Sequence, residues 1–145
     1  MAEKTLHVEI VTPYEMFYEG PVDMVIVTSK DGEIGVLPGH IPLIAALTSG
    51  EVRMKIGEQT KVALTTSGYA EIGPELVIII VNAAEWPDQI DVQRAQMALE
   101  RASAKLADPS LSALGKKHAR HGAERAKARL KVAGKYGRPL ENKRQ

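Results

Sequence analysis

The sequence predicts an α+β fold, an N-terminal antiparallel β-sandwich or barrel followed by a C-terminal two-helix hairpin. Apolar residues recur every two positions up to Trp86 and every three or four positions beyond Pro87. The charge changes at the same place: residues 1–89 hold 5 Lys and Arg against 13 Asp and Glu, a net of −8, and residues 90–145 hold 14 against 5, a net of +9. We therefore expect a sandwich domain over residues 1–86, and a linker with a helical hairpin and a loose C-terminal tail over residues 87–145. Because opposite charges favour docking, the basic part can also seek another acidic surface, which indicates a mobile element.

The first half contains several short strands bounded by turn residues. Apolar side chains alternate with other residues before Pro13, as expected for a half-buried strand, at Leu6, Val8 and Ile10. A second strand is predicted over Val22–Thr28 and ends at the Asp31-Gly32 turn. Further strands follow at hairpin spacing, over Val52–Ile56, from Val62 to Thr65, over Tyr69–Ile72 and over Leu76–Val81. The last of these is aliphatic throughout, which predicts a strand covered on both faces.

The second half has two apolar stripes with helical spacing. Asp88 is the predicted N-cap of the first helix, and Asp91 falls in its first turn. The first stripe is Val92, Ala95, Leu99, Ala102 and Leu106, and the second is Ala119, Ala123, Ala126, Leu130 and Ala133. The first helix is expected to end, and the second to begin, at Asp108-Pro109-Ser110. The ordered part of the chain is expected to end at Gly134, Gly137 and Pro139. Because alanine buries little area, this hairpin should be marginally stable.

Composition and motifs exclude several classes of function. The chain has no cysteine, which removes disulfides and thiolate chemistry and fits a reducing compartment. It begins without a signal-like segment, and its longest aliphatic run, Leu76–Val81, is too short to span a bilayer. No catalytic motif is recognisable, so we expect no catalytic residue and no enzyme activity. Nucleic-acid binding is an alternative for the basic half, but the acidic sandwich and the scarcity of aromatic residues oppose it.

The histidines do not form a convincing metal site in the sequence. His118 and His121 are spaced i, i+3 on the second helix, but basic residues surround them and no carboxylate completes a ligand set. His7 is expected on the polar side of a strand, facing water. His40 follows Leu37-Pro38-Gly39 in a segment that suggests a shaped loop. The sequence therefore predicts no metal site.

Arginines lie on a polar face of the first helix and on the second helix. Asp91, Arg94 and Arg101 share that face, with the small Ala98 between the arginines and Lys105 beyond them, while Arg125 and Arg129 lie one turn apart on the second helix. Four guanidinium groups could converge on the phosphates and base of a nucleotide. The alternative is an ordinary surface, in which Asp91 and Arg94 form an i, i+3 pair and the other arginines are solvated.

These residues occur in a chain that resembles the epsilon subunits of bacterial rotary ATP synthases. The resemblance rests on Glu19–Val25 and on the longer segment Asp31–Leu43, in that order, and extends over the sandwich, the linker and the helix pair. It implies a β-sandwich on the central stalk that contacts the gamma subunit and the ring of membrane c subunits. The Gly/Pro-rich loop at residues 35–40 is then an expected contact surface. The resemblance also implies a peripheral location at the cytoplasmic face of the bacterial membrane, reached only through the complex.

The same resemblance implies a nucleotide site in the hairpin. Some members bind ATP through an Ile/Leu-Asp-x-x-Arg-Ala motif, which is present here as Ile90, Asp91, Arg94 and Ala95 with two residues between Asp91 and Arg94. It further implies Glu85 before the linker, Arg101 in the first helix, and Arg125 and Arg129 in the second. The implied ligand is ATP, acting as a regulator and not as a substrate.

The implied mechanism is a hairpin with two states. With ATP bound it is folded; when opened, its second helix rises along gamma, contacts acidic surfaces of the catalytic beta subunits and blocks ATP hydrolysis. A stalk connector with the same partners and no response to nucleotide is the alternative for the C-terminal half.

Overall fold

The computed structural model describes residues 4–137. The chain divides into two compact units, one ending at Trp86 and one beginning at Pro87. Each is described by itself below.

The first unit is a sandwich, as the spacing of the turns predicts, with ten strands among the described residues. The strands are β1 (Leu6–Val11), β2 (Met16–Val22), β3 (Met24–Ser29), β4 (Gly32–Val36), β5 (Leu43–Leu47), β6 (Gly50–Ile56), β7 (Gln59–Thr65), β8 (Gly68–Ile72), β9 (Leu76–Val81) and β10 (Ala84–Glu85). Of these, β2, β4, β5 and β10 were not predicted. Their order is β10-β7-β6-β3-β5-β8-β9-β1-β2, with β4 paired to β3. A single residue pair, Ser29 with Leu47, joins β3 to β5. The path thus folds into two layers around one core.

Strand β1 confirms the period of two. Leu6, Val8 and Ile10 are fully buried, and the strand ends at Val11, before Pro13. Its pairing differs from an all-antiparallel sheet, because β1 pairs parallel to β9 and antiparallel to β2. The predicted antiparallel sandwich therefore contains one parallel pair.

Two strand predictions need correction. The predicted second strand, Val22–Thr28, is the end of β2 and most of β3, separated at Asp23. The sequence missed β2 because Gly20 and Pro21 interrupt its apolar pattern. At the break, the Asp23 carboxylate accepts a 2.6 Å hydrogen bond from the Gly57 amide. This contact fastens the turn between β2 and β3 to the β6–β7 hairpin.

The prediction that Leu76–Val81 is covered on both faces is wrong. Val77, Ile79 and Val81 are buried, whereas Leu76 and Ile80 are 40% and 51% exposed. Because β9 lies in one layer of a two-layer sandwich, one side of the strand faces the core and the other faces outward, so only alternate residues are buried.

Gly68 lies where two backbones approach closely. A Cβ built on this residue would lie 2.0 Å from the Ile80 carbonyl oxygen. Any side chain here would push β8 away from β9, so the close pairing of these strands requires glycine.

The sandwich ends in an aromatic cluster. The Trp86 ring lies 4.6 Å from the Phe17 ring and 6.3 Å from the Tyr18 ring, centroid to centroid. Burial raises the pKa of Tyr18 above its ordinary value. Trp86 packs on the core of the sandwich, and this contact fixes the chain at the end of the first unit.

The second unit is a helical hairpin, as predicted. A 3₁₀ turn over Pro87–Gln89 precedes α1 (Val92–Leu106), and α2 covers Ala113–Tyr136. The two helices pack against each other, and because only residues 107–112 join them, they run antiparallel. Small residues dominate the buried set, which is Ala95, Ala102, Ala119, Ala123, Ala126 and Val132.

The hairpin differs from the predicted one in three places. Val92, assigned to the buried stripe, is 44% exposed. The second helix begins after its N-cap Ser112, so Pro109 belongs to the connection and not to a first turn. Helix α2 continues through Gly134 and ends at Tyr136, with Gly137 as its C-cap, while Pro139 and the predicted loose tail lie outside the described residues.

Candidate functional site

The motif from Ile90 to Ala95 forms the start of α1. Asp91, and not Asp88, is the N-cap: its backbone is extended, with φ −81° and ψ 95°, and its side chain accepts from the Arg94 amide. The Oδ1 to N distance is 3.0 Å. Asp88 lies instead in the preceding 3₁₀ turn. Asp91 therefore satisfies one of the free N–H groups that every helix leaves at its N-terminus.

The apolar and charged members of the motif have different surroundings. Ile90 and Ala95 are only 7% and 4% exposed, whereas Asp91 and Arg94 are exposed. The Asp91 carboxylate binds the backbone N–H of Arg94, and no ion pair joins it to the Arg94 guanidinium within the described chain. The expected i, i+3 surface pair is thus absent from residues 4–137, and the guanidinium remains available.

The antiparallel hairpin decides which arginines can meet. Because a short connection joins two antiparallel helices, the N-terminal end of α1 lies beside the C-terminal half of the longer α2. Arg94 therefore lies at the end of the hairpin that holds Arg125 and Arg129. Arg101 is seven residues further along α1, about 10 Å at 1.5 Å per residue. Three of the four arginines fall at one end, and Arg101 extends the basic surface toward the connection.

These arginines differ in exposure and pairing. Arg94, Arg101 and Arg125 are exposed and Arg129 is half-buried. Among residues 4–137, no carboxylate lies within 4 Å of the guanidinium of Arg94, Arg101 or Arg125. Three cationic groups without a protein counter-charge are suited to an anionic ligand.

Arg125 has a defined position on α2. Its Nη2 lies 3.6 Å from the place where a Cβ on Gly122 would be. The guanidinium thus extends back over the preceding turn of α2, into space that is open because Gly122 has no side chain.

Glu85 belongs to the sandwich unit. It is half-buried in β10, where it pairs with Leu64 of β7. Its proposed part in a nucleotide site stays a prediction.

A second candidate surface lies on the outer face of the β5–β8–β9 layer. Tyr69 and Ile80 are direct neighbours in the register of β8 and β9, and Ile44 of β5 lies on the same face, two residues before Ala46, which pairs with Tyr69. Their exposures are 72% for Ile44, 62% for Tyr69 and 51% for Ile80. We call these three residues, with Leu76, which lies on the same side of β9 as Ile80, the apolar face. The sequence missed it because a run such as Leu76–Val81 does not reveal which side of the strand is covered.

The Gly/Pro loop continues from this face. Gly39 adopts φ +90°, which favours glycine, and its amide donates a 2.8 Å hydrogen bond to the Pro74 carbonyl. His40 Nδ1 lies 2.6 Å from the Ile41 carbonyl oxygen. Leu37 and Ile41 are 57% and 75% exposed. The loop therefore has the defined shape that the sequence predicted, with apolar side chains directed outward.

The described residues contain no helix with the length and apolar character needed to cross a bilayer. His118 and His121 are both exposed on α2.

Comparisons with known proteins agree with this architecture. Residues 5–87 match the family model for the ATP synthase delta/epsilon chain β-sandwich domain, and residues 88–134 match that for the long α-helix domain. The chain is 46% identical over 131 residues to the ATP synthase epsilon chain of Halalkalibacterium halodurans, covering 90% of this chain and 98% of that one. It is 43% identical over 135 residues to the epsilon chain of Caldanaerobacter subterraneus, covering 92% and 97%.

Two solved structures share the fold at low identity. A chain of the Euglena gracilis mitochondrial ATP synthase, in a structure of OSCP, F1 and the c-ring, aligns with a TM-score of 0.78 at 22% identity, covering 90% of this chain and 82% of that one. A chain from the central stalk and c-ring of the Tetrahymena thermophila enzyme aligns with a TM-score of 0.65 at 12% identity, covering 90% and 97%. With both domains matched in order by family models and by relatives above 40% identity, the chain belongs to the delta/epsilon chain family of ATP synthases, as an epsilon chain of the F-type enzyme.

Proposed function

We propose that this epsilon chain joins the gamma subunit to the c-ring through its sandwich and inhibits ATP hydrolysis through a hairpin that senses ATP. It acts as a non-catalytic regulator on the cytoplasmic face of the bacterial membrane, which it reaches only through the complex. The observation that carries the regulatory half of this proposal is that the guanidinium groups of Arg94, Arg101 and Arg125 are exposed and have no carboxylate within 4 Å among residues 4–137.

The apolar face supports the docking half. Clustered exposed apolar side chains commonly mark protein interfaces, and here they surround the carboxylate of Glu71, which is the cross-strand neighbour of Ile44. Ile44, Tyr69 and Ile80 lie on one side of the sheet, and the loop at residues 35–40 exposes a further apolar side chain, Leu37. The partners we assign to this surface are gamma and the c-ring, consistent with the stalk and c-ring assemblies in which its structural relatives occur.

Assembly experiments test the docking half. Ile44→Asp should reduce assembly with gamma and the c-ring without unfolding the isolated chain, because the side chain is exposed. The double change His40→Asp with Leu43→Asp tests the loop in the same way. Tyr14→Asp is a matched control, since Tyr14 is 91% exposed in the β1–β2 turn and outside the apolar face. Normal assembly of the Ile44 and loop variants would contradict the assignment.

The hairpin offers a binding surface for a polyphosphate. Arg94 and Arg125, 31 residues apart in sequence, lie toward the same end of the antiparallel hairpin. Each is exposed and without a carboxylate partner in the described chain. Charge-assisted hydrogen bonds from guanidinium to phosphate are short and directional, so both helices can bind one ATP molecule.

The weak interface between the helices makes such a ligand effective as a regulator. The buried residues of α1 are two alanines, so little apolar area holds the hairpin closed. A ligand that binds only the closed state stabilises it by RT ln(1 + [L]/Kd). When ATP is scarce, the opened hairpin directs the basic residues of α2 toward acidic surfaces of the catalytic beta subunits. ATP and the beta subunits then compete for the same charges.

Calorimetric titration of the full chain with ATP tests this mechanism. Arg94→Ala and Arg125→Ala should each weaken binding about tenfold to a hundredfold, at about 1.4 kcal/mol per decade. Lys117→Ala is the matched control, because Lys117 is an exposed cation near the opposite end of α2. Equal affinities in all four proteins, or no binding by the unsubstituted chain at millimolar ATP, would favour the stalk connector that has no nucleotide response.

A further inference from the structure

Three side chains that can bind a metal ion lie together on the outer face of β1 and β2. His7 and Glu9 are two residues apart on β1, so their side chains share one face of the sheet. Glu19 of β2 is the direct cross-strand neighbour of Glu9. Ligand atoms from the three side chains all lie within 4.8 Å of one another. The fold thus assembles a group that the spacing along the sequence does not show.

The charges of this group are unbalanced. Glu9 and Glu19 are directly opposite carboxylates, an arrangement that destabilises a sheet unless a cation intervenes. Among residues 4–137, no Lys or Arg lies within 4 Å of either carboxylate. His7 Nε2 is 3.9 Å from Glu9 Oε1, which is too long for a hydrogen bond. The two carboxylates and the imidazole therefore surround a position where a cation would be stabilised.

We propose that His7, Glu9 and Glu19 bind one divalent transition-metal ion of the zinc class. An imidazole nitrogen with two carboxylate oxygens is a donor set that zinc accepts, and the imidazole disfavours magnesium and calcium. Three protein ligands leave a fourth position open to water or to a group from a partner. This proposal revises the expectation that His7 only faces water, and it is independent of the hairpin and of ATP.

The geometry requires only small movements of the side chains. Metal–ligand distances of about 2.0 to 2.2 Å place the ligand atoms of a tetrahedral site roughly 3.4 Å apart. The present 3.9 Å between His7 and Glu9 is close to that value. Both side chains are partly exposed, at 45% and 26%, so their rotamers can adjust. The backbone is already fixed, because the alternate residues Leu6, Val8 and Ile10 are fully buried.

Titration of the untagged full chain with zinc chloride tests the site. We expect one zinc ion per chain with micromolar affinity, and a cobalt(II) absorption spectrum with the intense visible bands of a four-coordinate ion. His7→Gln and Glu19→Gln should each weaken zinc binding at least about tenfold, at about 1.4 kcal/mol per decade. Circular dichroism of both variants should match that of the unsubstituted chain, because His7 and Glu19 are not core residues.

A matched control removes two closely spaced histidines that lie on α2, outside the proposed site. The double change His118→Gln with His121→Gln deletes the i, i+3 imidazoles of α2 and should leave zinc affinity and the cobalt spectrum unchanged. Loss of binding in this control would move the site to α2 and overturn the proposal. Absence of zinc binding by the unsubstituted chain at submillimolar zinc, or an undiminished affinity in the His7 variant, would overturn it as well.

Discussion

Replacement of Gly122 by alanine should stabilise α2. Glycine in a helix interior is less favourable than alanine by about 0.8 to 1.0 kcal/mol, and Gly122 lies well inside the helix, which covers Ala113–Tyr136. The added methyl group would meet only Arg125 Nη2, at 3.6 Å, an ordinary van der Waals distance. With no steric cost to offset the gain, we expect about 1 kcal/mol, or roughly a fivefold change in local opening.

Amide hydrogen exchange on the full chain measures this effect where it occurs. Amides between Ala119 and Ala126 should exchange about fivefold more slowly in Gly122→Ala, while the sandwich strands are unaffected. Gly137→Ala provides a control of opposite sign, since its Cβ would lie 2.3 Å from the Ala133 carbonyl oxygen at the C-cap. It should accelerate exchange in the last turn of α2. Unchanged or faster exchange around residue 122 in Gly122→Ala would show that Arg125 cannot accommodate the methyl group, contrary to this reasoning.

Three further substitutions test other contacts. Asp91→Ala should destabilise the first turn of α1 by about 1 kcal/mol, whereas Asp91→Asn, which keeps an N-cap acceptor, should not. An equal loss of the helical circular dichroism signal in both variants would contradict the role of Asp91 as the N-cap. Arg53 donates to both oxygens of Glu33, at 2.8 and 2.9 Å, and to Glu51. Arg53→Met should therefore lower the free energy of unfolding in urea by about 1 to 3 kcal/mol, and adding Glu51→Gln should recover part of that loss. An unchanged midpoint of urea unfolding in Arg53→Met would contradict this. Hydrogen bonds from the Ser110 hydroxyl and amide lower the pKa of Asp108, so this loop gains stability above the ordinary carboxyl pKa and loses it as pH falls through the lowered value. The pKa of Asp108, followed by the carbon-13 shift of its carboxyl group, should be higher in Ser110→Ala. An unchanged pKa would exclude the Ser110 hydroxyl as the cause.

Features set by neighbouring residues could be predicted from the sequence. The change of apolar period at Trp86-Pro87 marks the place where strands give way to helices, because each period reflects the geometry of one kind of backbone. Leu6, Val8 and Ile10 are buried as their alternation predicts. Asp91 lies at the start of α1, although its exact position, N-cap and not first turn, depended on how the preceding three residues fold.

The candidate nucleotide site could be predicted in part. The motif and the arginine positions are visible in the sequence, and the stripes of alanine predict that the two helices pair. Which arginines share one end of the hairpin depends on the length of the connection, and Ser112 begins α2 later than Pro109 suggested. Such boundaries are decided by capping contacts of individual side chains.

Features that join distant residues were decided only by the tertiary structure. A period of two indicates a strand but does not identify its neighbours, so the parallel pairing of β1 with β9 is absent from the local pattern. Likewise, the pairing of β9 with β8 and of β8 with β5 brings the exposed Ile80, Tyr69 and Ile44 together on the apolar face. The register of β1 with β2 places Glu19 opposite Glu9 and beside His7. The sequence by itself determined what each segment becomes, because period and caps act over a few residues, whereas the exposed faces depend on strand pairing across the whole sandwich.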